Sequence, residues 1–292
     1  MRTCVITSAK TEELYIEEWV KHNLKIGFDK IIINDNNDKD YPYKLSEILK
    51  EYIDNGQVII ENYYDNHKLV RVTQEQDIVF VYSYLYKKYK TEFDWFAKLD
   101  IDEYLMIPET FNNVKLFLSN KRFDKFDAIY VPWKCYEIKN QYKYLYERTP
   151  HIYDKFIAVK NEYCDFYEWS FKSLFKGNLD TNVGHHAINI DKKYCYPNGD
   201  ACTLGKYKSN EKIDIDKSYF IKMQQIAHID HFNVNSLEER YNKHYKMELY
   251  KVDYQRDKEN KNFKRICNEL FGKYPELKDN KRDLYKIYFL NK

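Results

Sequence analysis

Apolar positions along the first hundred residues fall into two alternating periods. Cys4 to Thr7 is a short apolar run that reads as a strand. Ile16, Trp19, Val20 and Leu24 then fall at i, i+3, i+4 and i+8, the apolar stripe of a helix. Thr11 is its expected cap, Glu12 and Glu13 suit its positive end, and Gly27 is its expected stop. Ile31-Ile32-Ile33 is a continuous apolar strand of the kind buried in parallel sheets. Leu45, Ile48, Leu49, Tyr52 and Ile53 predict a second helix ending at Gly56, and Val58-Ile59-Ile60 a third strand. Ile78, Val81, Tyr82, Leu85, Tyr86 and Tyr89 form another helical stripe, and Trp95 to Leu99 a fourth strand that runs into Asp100. Repeated β-α-β of this kind predicts an α/β fold with a mostly parallel sheet and right-handed crossovers.

Past Asp102 the pattern loosens. Ala128 to Tyr136 reads as a strand carrying Trp133, and residues 140–230 mix short strands and loops in no legible order. Helical signals return at Ser236, which forms a capping box with Glu239, and continue in the stripe Phe263, Ile266, Cys267, Leu270 and Phe271. The expected organisation is one α/β domain over residues 1–235 and a helical C-terminal extension over residues 236–292.

Composition narrows the function classes. With 48 basic against 46 acidic residues the net charge is +2, without the basic footprint of a nucleic-acid binder, so no nucleic-acid partner is expected. The six cysteines form no C-x-x-C pair, which argues against a zinc knuckle or redox motif. Reduced thiols in a cytoplasmic compartment are the simpler expectation. No signal-peptide pattern opens the chain, and no run approaches the ~20 apolar residues that span a bilayer, so membrane contact is expected to be peripheral at most.

The sharpest chemical signal is Lys98-Leu99-Asp100-Ile101-Asp102-Glu103-Tyr104. On a strand, side chains two apart share a face, so Asp100 and Asp102 can converge on one hard divalent cation, with substrate phosphate oxygens as further ligands. A strand of an open α/β sheet delivers such residues to the crevice at its carboxyl end. Asn34-Asp35-Asn36-Asn37-Asp38 closes the second strand; Asp35 there either accepts a hydrogen bond from a base or ribose, or builds an Asx turn, and the turn is the simpler reading. Gly184-His185-His186 and His228-Ile229-Asp230-His231 offer imidazoles to a metal or satisfy structural needs. Trp133 and the stretch Tyr142 to Arg148 could line a sugar-acceptor groove, and core packing explains Trp133 equally well.

Several of these segments, in this order, resemble the glycosyltransferase family 2-like group that includes the family 92 galactosyltransferases. Lys10-Thr11-Glu12 and Tyr15-Ile16-Glu17-Glu18-Trp19 resemble its K-N-E and L-x-E-W opening, with threonine for asparagine at position 11. Gly27-Phe28-Asp29 through Asn34-Asp35-Asn36 resembles its G-hydrophobic-D…D-N segment, and Gln76 matches a glutamine ahead of the next helix. Asp94-Trp95 with Asp100-Ile101-Asp102-Glu103-Tyr104 resembles W…D-x-D-E-F, the most specific piece. Trp133, Glu147-Arg148 and Lys172-Ser173-Leu174 ahead of His185 or His186 continue the match. His231-Phe232 with Ser236 to Glu239 resembles its closing H-Y-x-x-K-S-x-E-E; Asn235 stands where that motif has lysine, and Asp230 where it often has asparagine.

The resemblance implies a GT-A fold and a metal-dependent transfer of sugar from a nucleotide-diphosphate donor to a glycan or glycoconjugate hydroxyl, as in surface polysaccharide synthesis. It implies that Asp100 and Asp102 hold Mn²⁺ or Mg²⁺, which neutralises the leaving diphosphate, with His231 as an additional metal or diphosphate contact. Ser8, Lys10, Glu12, Asp35 and Gln76 would surround the nucleotide, Lys172 would carry a donor-side charge, and Trp133 and His186 would face the acceptor. An inverting enzyme also needs a carboxylate base; Glu168 and Asp230 are both candidates. Two other classes compete. A D-x-D phosphatase normally carries its motif on the first strand, followed by Thr or Val, whereas here it ends about the fourth. A non-catalytic carbohydrate-binding or assembly protein would have no need to keep both carboxylates.

Overall fold

Three β-α-β crossovers emerge from the first hundred residues of the chain, whose structure is a computed structural model. It describes residues 1–63, 75–138, 156–158, 171–202 and 217–232, apart from Leu14, Asp38, Asp40 and Ile190. The chain divides into two compact units, one of Met1–Val70, Gln74–Tyr136 and Ala158–Phe232, the other of Arg71–Thr73, Glu137–Ile157 and Asn233–Lys292. Nearly all described residues belong to the first. The expected extension over 236–292, the Ser236 capping box, Glu147-Arg148 and Glu168 lie outside the described residues.

Strand β1 (Thr3–Ala9) leads to helix α1 (Ile16–Lys25) and β2 (Lys30–Asp35). Two short helices, α2 (Leu45–Ile48) and α3 (Lys50–Asp54), precede β3 (Val58–Glu61), and α4 (Glu75–Tyr89) precedes β4 (Trp95–Lys98). The single helix expected over 45–53 is thus split at Leu49, whose φ of −101° and ψ of 16° leave the helical region. Gly27 and Gly56 stop α1 and α3 with φ of +105° and +69°, a conformation in which a Cβ is strained. Thr11 does not cap α1. That helix begins at Ile16 without a side-chain cap, while Thr11 sits at φ +57° with its N–H donated to the Asn37 side chain at 2.8 Å. The Asn37 amide therefore holds a β-branched residue in the left-handed region, an uncommon state that accumulates where structure over-determines the backbone.

β1, β2, β3 and β4 are parallel in the spatial order β3-β2-β1-β4. α4 covers β1, burying Val81, Leu85 and Tyr86 against Cys4, Ile6, Ile32, Phe96 and Phe175. The strands behind this core are short and apolar at their centres, as buried parallel strands read, with polar residues at their ends.

The second half is built differently. β5 (Glu103–Met106) follows β4 through a turn; α5 (Val114–Leu118), β6 (Ala128–Ile138), β7 (Phe156–Ala158), β8 (Phe171–Lys176), β9 (Tyr194–Cys195), β10 (Ala201–Cys202), α6 (Lys217–Ile226) and β11 (His228–His231) complete the described elements. β8 pairs antiparallel with both β4 and β6, carrying the sheet on as β4-β8-β6-β9-β10. The sheet is therefore mixed, not mostly parallel. Parallel neighbours need long helical crossovers, and the described helices that provide them cluster ahead of β4. β11 lies between β5, antiparallel, and β6, parallel.

Among the described residues no helix is long and apolar enough to cross a membrane. Cys4 and Cys195 are buried free thiols, but Cys135 is disulfide-bonded, so the expectation of reduced thiols does not hold for that residue.

Candidate functional site

The register of the parallel strands sets Ala9 beside Asp35, Asn34 beside Glu61 and Ile6 beside Lys98. Their carboxyl ends share one edge of the sheet, where ligands of open α/β folds bind. The acidic motif lies at that edge, though not on a strand. β4 ends at Lys98, and residues 100–103 turn into β5, closed by the Glu103 N–H donated to the Asp100 carbonyl at 3.1 Å. Alternation of faces ceases to apply where the strand ends, so Asp100 and Asp102 enter different surroundings.

Asp100 is claimed by two ammonium groups. Lys98 Nζ donates to Oδ1 and Lys172 Nζ to Oδ2, each at 2.5 Å. The lysines are 2% and 1% exposed, whereas the Asp100 side chain keeps 38% of its surface. Enclosure by neighbours pushes the Asp100 carboxyl up, but Lys172 and then Lys98 outweigh it and hold the group well below the usual carboxylate range. Lys172 also donates to the His185 carbonyl at 3.0 Å and stands 3.3 Å from Glu103 Oε1. The Lys98 ammonium lies 4.6 Å from the Tyr82 ring centre, and burial followed by the Asp100 charge raises the Tyr82 phenol well above its usual range.

On the other side of the turn, Asp102, Glu103 and His231 converge. His231 Nε2 is 3.8 Å from Asp102 Oδ2 and 3.9 Å from Glu103 Oε1, and one donor atom from each residue lies within 4.8 Å of the others. Topology creates this meeting: antiparallel pairing of β11 with β5 sets His231 opposite Glu103, and Phe232 N–H donates to the Asp102 carbonyl at 2.9 Å. Glu103 is fully buried; its Oε2 accepts the Asp100 N–H at 2.9 Å, and its carbonyl accepts the Trp19 indole N–H at 2.8 Å. Burial raises the Glu103 carboxyl against the pull of Lys172. The Trp133 ring lies 4.1 Å from that of His231. Glu103 Oε1 and His231 Nδ1 are buried without a hydrogen-bond partner among the described residues, an uncommon and costly state for such atoms.

These donors fit a divalent cation. Ligands of one octahedral ion at about 2.1 Å stand roughly 3–4 Å apart, a range that includes the 3.8 and 3.9 Å separations here. Two carboxylates and one imidazole favour an ion that accepts both oxygen and nitrogen.

The remaining expected residues divide into several groups. Ser8 Oγ accepts from the Asn34 amide at 3.0 Å, and Asp35 Oδ1 accepts the Asn37 N–H at 2.9 Å, which makes Asp35 an Asx-turn residue whatever else it does. Lys10 and Glu12 lie half-buried just past β1. Beside them Thr7 Oγ1, Asn36 Oδ1 and Asn37 Nδ2 are buried without hydrogen-bond partners among the described residues. Gln76 is on α4, with its side chain outside the described residues. His186 Nδ1 lies 3.1 Å from the Phe171 carbonyl; burial, with Lys172 and Lys98, pushes its imidazole down to about 3, so it is neutral. His186 and His231 flank Trp133, the former at 5.4 Å between ring centres. Asp230 and His228 share the opposite face of β11 from His231; His228 Nε2 is 3.3 Å from Asp230 Oδ1, and its Nδ1 is 2.6 Å from the Gln224 carbonyl.

Sequence reasoning missed Glu103, Lys98 and the anchoring role of Trp19. Glu103 was visible as the residue after D-x-D, but without a hint that it is buried. Nothing in the sequence marks Lys98 as buried; the Tyr82 ring and the Asp100 carboxylate pack against its ammonium. No model of a known protein family matches the chain, and no curated protein sequence matches it.

Proposed function

We propose that the chain is a metal-dependent glycosyltransferase of GT-A type that takes a sugar from a nucleotide-diphosphate donor and passes it to a hydroxyl of a glycan or glycoconjugate. The observation that carries this reading is the convergence of Asp102, Glu103 and His231 at the carboxyl edge of four parallel strands. The strand order β3-β2-β1-β4, continued by antiparallel β8, is compatible with a nucleotide lying across the ends of β1 and β2. The ordered sequence resemblance names the class of chemistry.

A bound Mn²⁺ or Mg²⁺ would neutralise charge on the departing diphosphate. The chain's own residues divide the remaining work. Asp102, Glu103 and His231 would hold the cation, and the Trp133 ring packs at a tilt against the imidazole. Asn36, Asn37, Ser8 and Asp35 border the nucleotide end. Trp133 and His186, neutral beside the lysines, form the wall toward the acceptor. Asp230 remains a candidate base only if the acceptor approaches the other face of β11, because its side chain turns away from the cluster.

The test is hydrolysis and transfer across a panel of nucleotide-diphosphate sugars, with and without chelator. Turnover of at least one donor that stops in chelator and returns with Mn²⁺ or Mg²⁺ is the expected result. Binding of sugar without donor turnover would favour the carbohydrate-binding alternative, and hydrolysis of simple phosphate esters the phosphatase.

A further inference from the structure

Glu103 Oε1 lies between an ammonium and an imidazole. Lys172 Nζ stands 3.3 Å from it, and the same oxygen is 3.9 Å from His231 Nε2 across the space a metal would take. Lys172 is 1% exposed, so water does little to screen its charge. Lys172 Nζ donates to Asp100 Oδ2 and to the His185 carbonyl, two bonds that hold the ammonium 3.3 Å from Glu103 Oε1. A cation entering the cluster therefore meets a fixed positive charge on its wall.

We infer that Lys172 is a resident counter-cation, which offsets the charge of the neighbouring carboxylates and makes tight divalent-cation binding depend on a bound anion such as a diphosphate. This rests on reading Asp102, Glu103 and His231 as a cation site. Asp100, Asp102 and Glu103 bring three negative charges to the turn, and Lys98 and Lys172 return two positive ones. An incoming divalent ion leaves the cluster net positive unless an anion arrives with it. Coupling of this kind is reciprocal: whatever the anion does for the metal, the metal does for the anion. The sign of the lysine's effect follows from a second contact. Glu103 Oε2 is held by the Asp100 N–H at 2.9 Å, so the carboxylate stays aimed without Lys172. Removing the ammonium takes away repulsion and leaves the ligand in place.

The experiment measures Mn²⁺ binding to the full chain by the electron paramagnetic resonance of the free ion, with and without inorganic pyrophosphate. The Mn²⁺–pyrophosphate complex in solution is included in the fit. Wild type should bind Mn²⁺ weakly alone and about tenfold or more tightly with pyrophosphate, the scale of one poorly screened charge at this range. Lys172→Met should bind Mn²⁺ about tenfold more tightly without the anion, and the pyrophosphate effect should shrink. Lys172→Arg, which keeps the charge, should resemble wild type. If circular dichroism shows that Lys172→Met does not fold, Lys98→Met replaces it, with the same sign and a smaller effect. Equal or weaker Mn²⁺ binding in the folded methionine variant, or an undiminished pyrophosphate effect, overturns the counter-cation. Absence of Mn²⁺ binding in wild type and in both methionine variants, with or without pyrophosphate, overturns the cation site itself.

Discussion

The turn from Lys98 to Glu103 has two sides with opposite electrostatics. Asp100 is bound by two buried lysines through both oxygens. Asp102, two residues on, has a 40% exposed side chain and faces a histidine and a buried glutamate. The two aspartates look equivalent in the D-x-D triplet, yet Asp100 completes a charge network with two buried lysines while Asp102 stands beside His231 and Glu103. Burial and partners decide a carboxylate's role; residue type and spacing alone do not.

The largest expected effect tests the lysine side. Asp100→Ala leaves Lys98 and Lys172 short of their shared anion, and breaking a buried pair from one side costs about 3–5 kcal/mol. The low end of that range applies because Asp100 is 38% exposed. Denaturant unfolding should therefore show a loss of about 3 kcal/mol. A stability unchanged within error would mean that the lysines find other acceptors and that the two sides are alike.

Asp102→Ala should behave in the opposite way. Its stability should stay within about 0.5 kcal/mol of wild type, because its side chain is 40% exposed and stands 3.8 Å from its charged neighbour His231. Mn²⁺ binding in the presence of pyrophosphate should fall by at least tenfold. A large stability loss with Mn²⁺ binding intact would reverse the comparison.

The same contrast extends to β11. His231→Ala should weaken Mn²⁺ binding with little change in fold. His228 is buried and hydrogen-bonded at 2.6 Å to the Gln224 carbonyl, so His228→Ala should lower stability by about 1–3 kcal/mol and leave Mn²⁺ affinity unchanged. Metal loss in the His228 variant instead would name the wrong face of the strand.

The smallest effect belongs to the nucleotide end. Asp35→Ala removes the Asx-turn bond to the Asn37 N–H, a loss of about 1 kcal/mol, and should weaken nucleoside diphosphate binding by calorimetry. Asp35→Asn keeps the acceptor and should recover most of the stability. Recovery of stability without recovery of affinity would separate the turn from a direct contact.

How much was legible varies along the chain for a physical reason. The stripes Ile16-Trp19-Val20 and Val81-Tyr82-Leu85-Tyr86 are buried as their spacing requires, because a helix facing a sheet is fixed by neighbours three and four residues away. The four strands ahead of Asp100 are continuous apolar runs for a similarly local reason. Thr11 was misread because its conformation is set by Asn37, 26 residues away, and not by the helix that follows it.

The sequence by itself determined the parallel half of the fold and the presence of carboxylates and histidines near its edge. Only the tertiary structure decided which of them meet. β8 returns antiparallel to bring Lys172 to Asp100, and β11 enters between β5 and β6 to bring His231 to Glu103 across more than a hundred residues. Such pairings are set by which strand edges remain open once the core has formed, and hydrophobic periodicity carries no record of that choice.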